Sequence, residues 1–283
     1  MHRDDAIFPF RQATRLINEY QRGIDDIFLD VVEGDHARMV VLLMLYRAAL
    51  RGDQCRISMN AIATSLSASP ETIRRQVHAL AQDAFCVARP RRMDLADDFL
   101  VRADLMACGD RLLLWFERLL AGFERSGFRL PAGARDQRRA MTLAAALDIF
   151  LAVFELNEGV HGSWAQLRVV GAITVHNASG ITHDPALAER YGYTHTRPPP
   201  DLRRPLAIAT IAAQGGLSYT TVWRHIDLLR RAGVIEERDG GYLLTEAFLF
   251  SPAIEERSRT KVHYVRRVLA GLASGRPGRV CRA

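Results

Sequence analysis

The amino-acid sequence predicts a mostly α-helical protein that carries one small unit twice, a helix-turn-helix closed by a short β-hairpin. Three observations predict it. Apolar residues recur at helical spacing through most of the 283 residues. Strand signals are confined to two short stretches, 85–95 and 234–244, each just after an amphipathic helix. The residues around those two stretches match one another at a constant offset of 149, without a gap.

Taken in chain order, residues 10–32 place Leu16, Ile17, Tyr20, Ile24, Ile27 and Phe28 at helical spacing. Gly34 ends that helix, and Asp35 can cap a second helix over 36–50. Gly52-Asp53 reads as a turn, and residues 56–94 form the first unit. A long helix follows over 105–128, with Leu112, Leu113, Trp115, Phe116, Leu119, Leu120 and Phe123, until Leu130-Pro131-Ala132-Gly133 breaks it. A helical stripe of this kind, continued by Phe150 and Phe154, reads as core or dimer interface rather than an effector pocket. Residues 138–156 are apolar on nearly every side, so that helix is expected to be buried or to associate. Ser163 caps a helix over 163–177, and Pro198-Pro199-Pro200 forces a loop over 195–201. The second unit follows, then a helix over 252–272 and a tail, 275–279, expected to be disordered. The expected domains are therefore 1–104, a linking and associating region 105–162, 163–250, and 251–283.

In the second unit a short helix, 207–214, turns Ile208, Ile211 and Ala212 inward, and Gly215-Gly216 gives a tight turn. Ser218 caps the next helix, whose buried face is Val222, Ile226 and Leu229. Arg224, Asp227 and Arg231 lie opposite, and Tyr219, Thr220 and Trp223 stand at its exposed N-terminal end. Gly233 stops the helix, and Asp239-Gly240-Gly241 joins two strands as a hairpin. The offset of 149 carries Ile62 onto Ile211, Ala63 onto Ala212, Ser69 onto Ser218, Thr72 onto Thr221, Arg75 onto Arg224, Leu80 onto Leu229 and Arg89 onto Arg238. In the first unit Ser69 caps the helix, Pro70 takes its first position and Glu71 favours its positive end. Ile73, Val77 and Leu80 face inward, with Glu71, Arg75 and His78 outward and Arg74 on the flank. Residues 88–92 make a strongly basic hairpin.

These residues resemble the winged helix-turn-helix regulators of the GntR and MarR kind, in which a Ser-x-x-Thr-[Val/Ile]-x-Arg helix precedes a short basic hairpin. The resemblance covers two stretches of about 40 residues each and none of the helices between. It implies a sequence-specific, double-stranded-DNA-binding transcriptional regulator, homodimeric and not an enzyme. The recognition helix would enter the major groove while the wing meets phosphate. By position the base readers would be Pro70, Glu71, Arg74 and Arg75 in the first unit and Tyr219, Thr220, Trp223 and Arg224 in the second. His78 and the caps Ser69 and Ser218 adjoin them. Thr72 and Thr221 would donate to phosphate, with Arg89, Arg91, Arg92 and Arg238 on the wings. One departure from the pattern is Trp223, a poor hydrogen-bonding reader, where the first unit has Arg74. Plasmid replication initiators also carry two winged helices in a basic chain of this size, and other winged helices serve as protein-interaction scaffolds.

Composition is consistent with this reading. The chain is 48% hydrophobic and 25% charged, with a net charge of +6, and arginine supplies 37 of its 38 basic residues. Guanidinium forks suit phosphate and guanine, although a GC-rich coding sequence gives the same bias. Cys55, Cys86, Cys108 and Cys281 form no C-x-x-C pair, which points to a reducing cytoplasm. The first residues show no secretory signal, and the longest apolar stretch, 141–156, is too short to span a bilayer. His176, His183, Asp184 and His195 match no metal spacing, and no phosphate-cradling or hydrolase motif occurs, so neither metal nor cofactor is expected.

Overall fold

The computed structural model describes residues 8–52, 58–66, 68–89, 92–155 and 163–275, apart from the side chains at 88, 89 and 92. Among these residues the protein is mostly helical, with twelve α-helices and two antiparallel two-stranded sheets. No helix of the described residues is long and apolar enough to cross a membrane. Residues 53–57, Pro90, Arg91 and the tail from 276 lie outside the described residues, and with them the expectations that fell there. The chain divides into two compact units that do not follow sequence order. One comprises 23–120, 130–160 and 264–283; the other comprises 1–22, 121–129 and 161–263.

The first of these units contains α2 (His36–Leu50), α3 (Met59–Ser65), α4 (Pro70–Gln82), β1 (Cys86–Arg89), β2 (Arg92–Leu95) and α6 (Arg139–Glu155). It also holds most of α5 (Ala103–Arg125). Asp35 caps α2 as expected, its side chain accepting from the Arg38 N–H. α2 packs against α4, β2 and, most extensively, α6. α6 is buried from Leu143 to Ala152 on every side, so burial is the outcome its all-round apolarity produced. Its one charge in that stretch is compensated. Asp148 accepts from Arg47 at 3.3 Å and from Arg51, while Arg47 also reaches Glu155 at 2.7 Å. Burial opposes the Arg47 charge, but Glu155 and Asp148 outweigh it and hold the guanidinium protonated. Phe116 and Phe150 are core residues here, 1% exposed each.

The second unit contains α7 (Trp164–His183), α8 (Pro185–Arg190), α9 (Ile208–Gly215), α10 (Tyr219–Arg231), β3 (Ile235–Arg238) and β4 (Gly241–Leu244). Shared between the two units are α1 (Phe10–Phe28) and α12 (Pro252–Ala273), and a single turn, α11 (Glu246–Leu249), links β4 to α12. Ser163 caps α7 through the Gln166 N–H. That helix runs six residues past its expected end at 177, because Asn177, a weak helix former, is buried and bonded rather than terminal. Ile173, Leu206, Ile211, Val222, Ile226, Leu229 and Leu244 form its core with their neighbours. Each fully buried aliphatic side chain contributes about 1.5–3 kcal/mol.

From the second helix of the repeat onward, both copies have the same boundaries. The offset of 149 carries α4 onto α10, β1 onto β3 and β2 onto β4, end for end. Strand registers agree as well: Cys86 faces Leu95 as Ile235 faces Leu244, and Arg89 faces Arg92 as Arg238 faces Gly241. Even the helix exits coincide. Phe85 N–H reaches Leu80 C=O at 2.8 Å, and Val234 N–H reaches Leu229 C=O at 2.9 Å. Such a closure needs a left-handed residue, and Gly233 (φ 67°) supplies it in one copy and Ala84 (φ 55°) in the other. Asp239 (φ 49°) and Gly240 (φ 73°) close the β3–β4 hairpin with positive φ at both central positions, as a two-residue type I′ turn requires.

Candidate nucleic-acid interface

The residues singled out in the sequence cluster at the N-terminal ends of α4 and α10, and each end is built the same way. A serine outside the helix accepts from the third helical N–H, which satisfies one of the donors that the first turn leaves without a partner. Ser69 Oγ takes the Thr72 N–H at 3.0 Å, and Ser218 Oγ takes the Thr221 N–H at 3.2 Å. Each serine also bonds its threonine's hydroxyl at 2.8 Å. With serine as donor, the hydroxyl hydrogens of Thr72 and Thr221 stay available to a phosphate oxygen. The buried faces are Ile73, Val77 and Leu80 in α4 and Val222, Ile226 and Leu229 in α10, none more than 5% exposed. Helical geometry then turns the remaining candidates outward. Pro70, Glu71, Arg74, Arg75 and His78 are exposed, as are Tyr219, Thr220, Trp223 and Arg224.

The arginines of the first unit are not equivalent. Arg74 forms a two-pronged pair with Glu71, Nε to Oε2 at 2.8 Å and Nη2 to Oε1 at 2.7 Å. This hydrogen bond holds the Glu71 carboxyl below its usual range. Both groups are open to water, so the pair presents a local dipole rather than a stabilising bridge. Arg75 makes no hydrogen bond or ion pair among the described residues, and neither does its counterpart Arg224. Of the arginines of α4 and α10, the two at matching positions are thus the two without a carboxylate partner among the described residues.

Other candidates are placed less simply. Arg238 on β3 pairs with Asp201 at 2.9 Å and approaches Asp239 at 3.6 Å, so its guanidinium already has carboxylate partners within the protein. The backbone of Arg89 and Arg92 forms the last rung of the first hairpin, whereas their side chains and all of Arg91 lie outside the described residues. Behind Arg224, His225 is 6% exposed, at the position held in α4 by Gln76, 5% exposed. Burial, then the Arg224 charge, lowers the His225 pKa. Of the histidines weighed as metal ligands, His183 contacts Glu19 at 2.8 Å and His195 stacks on Tyr193, while Asp184 caps α8. No three His, Cys, Asp or Glu groups converge as metal ligands among the described residues.

Two features that position the second hairpin carry no local signal. Asn177, 3% exposed in α7, donates to the carbonyls of Arg204 (2.7 Å) and Tyr242 (3.1 Å) and accepts from the Leu244 N–H (2.9 Å). Leu206 forms a β-bridge with Tyr242, adding a third, one-residue strand. Gly241 is required beside it, because a Cβ there would meet the Leu206 nitrogen at 2.9 Å. These contacts fix hairpin, helix and preceding loop as one piece. Comparison of the chain with protein-family models, with curated proteins and with solved structures returns no match.

Proposed function

We propose that this chain is a sequence-specific DNA-binding protein acting in transcription regulation, with two winged helix-turn-helix modules whose recognition helices are α4 and α10. The observation that carries this reading is the element-by-element repetition at an offset of 149, which keeps the same serine-capped, outward-facing helix end and the same unpaired arginine in both copies. A helix end of this kind presents side chains narrow enough to enter a major groove, and a guanidinium there matches guanine O6 and N7 bidentately. The net charge of +6 favours a polyanion and supports phosphate contacts from the wings. Binding, not catalysis, is the role, and a homodimer is the expected form.

Selection of bound sequences from a random duplex pool tests this directly. Enrichment of a defined motif by wild type, weakened by about 1–3 kcal/mol when the motif is bound by Arg75→Ala, is the expected result. A chain that enriches no motif at moderate salt does not read DNA.

A further inference from the structure

On the exposed flank of α10, Tyr219 and Trp223 stand at i and i+4, one helical turn apart, 56% and 57% exposed. The matching positions of α4 hold Pro70 and Arg74. Helix ends that agree in caps, boundaries and free arginine therefore differ in the two side chains on this flank. An indole has one donor and no acceptor, so it cannot match the donor–acceptor pattern that distinguishes base pairs in the major groove. Both rings do offer a π face, and every nucleobase has one. Their Cβ atoms are separated by about 5–6 Å along the helix, more than the rise of about 3.4 Å between stacked bases. That spacing suits an extended strand whose bases have come apart.

The surroundings suit a polyanion better than an apolar protein surface. Thr220 and Thr221 adjoin the aromatic pair. Of the charged residues on α10, Asp227 and Arg231 pair at 2.8 Å and Arg230 faces Glu237 at 3.7 Å. That leaves Arg224 as the uncompensated charge of this helix, and it is positive.

We propose that α10 is a stacking platform for unpaired DNA bases, with Tyr219 and Trp223 each holding a base and Arg224 meeting the backbone between them. The proposal rests on the DNA-binding reading above and divides the work: α4 reads duplex, α10 holds an opened strand. It is tested on the full chain with oligo(dT) and with duplex of a selected motif as probes. Oligo(dT) is expected to quench the tryptophan emission of wild type. Trp223→Ala should bind oligo(dT) at least about fivefold more weakly, since stacking on one aromatic ring is worth about 1–3 kcal/mol. Trp223→Phe keeps a ring, so it should bind within about threefold of wild type while losing the quench, and it controls for folding. Equal oligo(dT) affinity in wild type and Trp223→Ala overturns the proposal. So does binding of duplex without binding of oligo(dT), which leaves the duplex reading standing. Binding of neither probe removes both readings. A fall in oligomeric mass for Trp223→Ala, at unchanged DNA affinity, overturns stacking and assigns the rings to a protein contact.

Discussion

Single residues at equivalent positions show what the repeat tolerates. Ala84 and Gly233 close the same helix exit at positive φ, but only glycine does so without its Cβ crowding the backbone, a cost of about 1–2 kcal/mol for an L-residue. Ala84→Gly should therefore raise stability by about 1 kcal/mol, and Gly233→Ala should lower it by a similar amount. An added Cβ at Gly233 meets nothing within 4 Å beyond its own local backbone, so the effect there is strain within the turn rather than a clash with other elements. Denaturant titration of both variants checks it, and equal signs for the two changes would refute the explanation. His225 makes a second pair with Gln76. Its folded pKa is lowered, by burial and then by Arg224, so the unfolded chain binds the proton more readily. The neutral imidazole's contribution is present above the unfolded pKa of about 6.5 and is lost as pH falls. His225→Gln should consequently lose less stability than wild type between pH 7.5 and 5.5, measured by melting at each pH.

At the scale of elements, burial and hydrogen bonding decide what the helix-hairpin pieces do. α6 has no polar face, and its buried Asp148 is tolerated because two guanidiniums meet it. α7 instead gives one buried amide to the β3–β4 hairpin, and every hydrogen bond of that amide crosses to another element. Asn177→Ala leaves a buried N–H and carbonyl without that partner, so it should cost about 2–4 kcal/mol and loosen the hairpin. Amide hydrogen exchange on β4 is the sharper measurement. Leu244 should lose protection ahead of Leu80 and Phe85 in the other unit, and uniform loss across both units would contradict a local role.

For the whole molecule, the consequence of two unlike helix ends is asymmetry in what one chain recognises. On the DNA-binding reading, helix ends that differ in the side chains they present cannot engage the same features of DNA, so each chain should cover two dissimilar subsites, a duplex one at α4 and an opened one at α10. A homodimer would then protect a longer palindrome built from two asymmetric halves. Arg75→Ala and Arg224→Ala are expected to remove protection from different parts of that footprint. Loss from the same part in both variants, or none with Arg224→Ala, would leave α10 outside the DNA contact.

Much of this architecture was legible in the sequence, because its signals are local. The caps Asp35, Ser69, Ser163 and Ser218 act on N–H groups three residues away, and the inward faces of α4 and α10 follow from a period of 3.6. The repeat, the outward candidates and the hairpins were determined in the same way. What the chain order hid were interactions between distant positions. Asn177 finds its partners 27, 65 and 67 residues away, which no helical period encodes, so α7 reads as ending where it is in fact anchored. The linking region foreseen over 105–162 is likewise divided, with α6 taken into one unit and residues 121–129 into the other. Local periodicity states that a helix has an apolar surface; only the tertiary structure decides which partner covers it. The same holds for charge. Asp201 lies 37 residues from Arg238, and only the fold brings the two to 2.9 Å, whereas Arg74 meets Glu71 at the i,i+3 spacing that the sequence already shows.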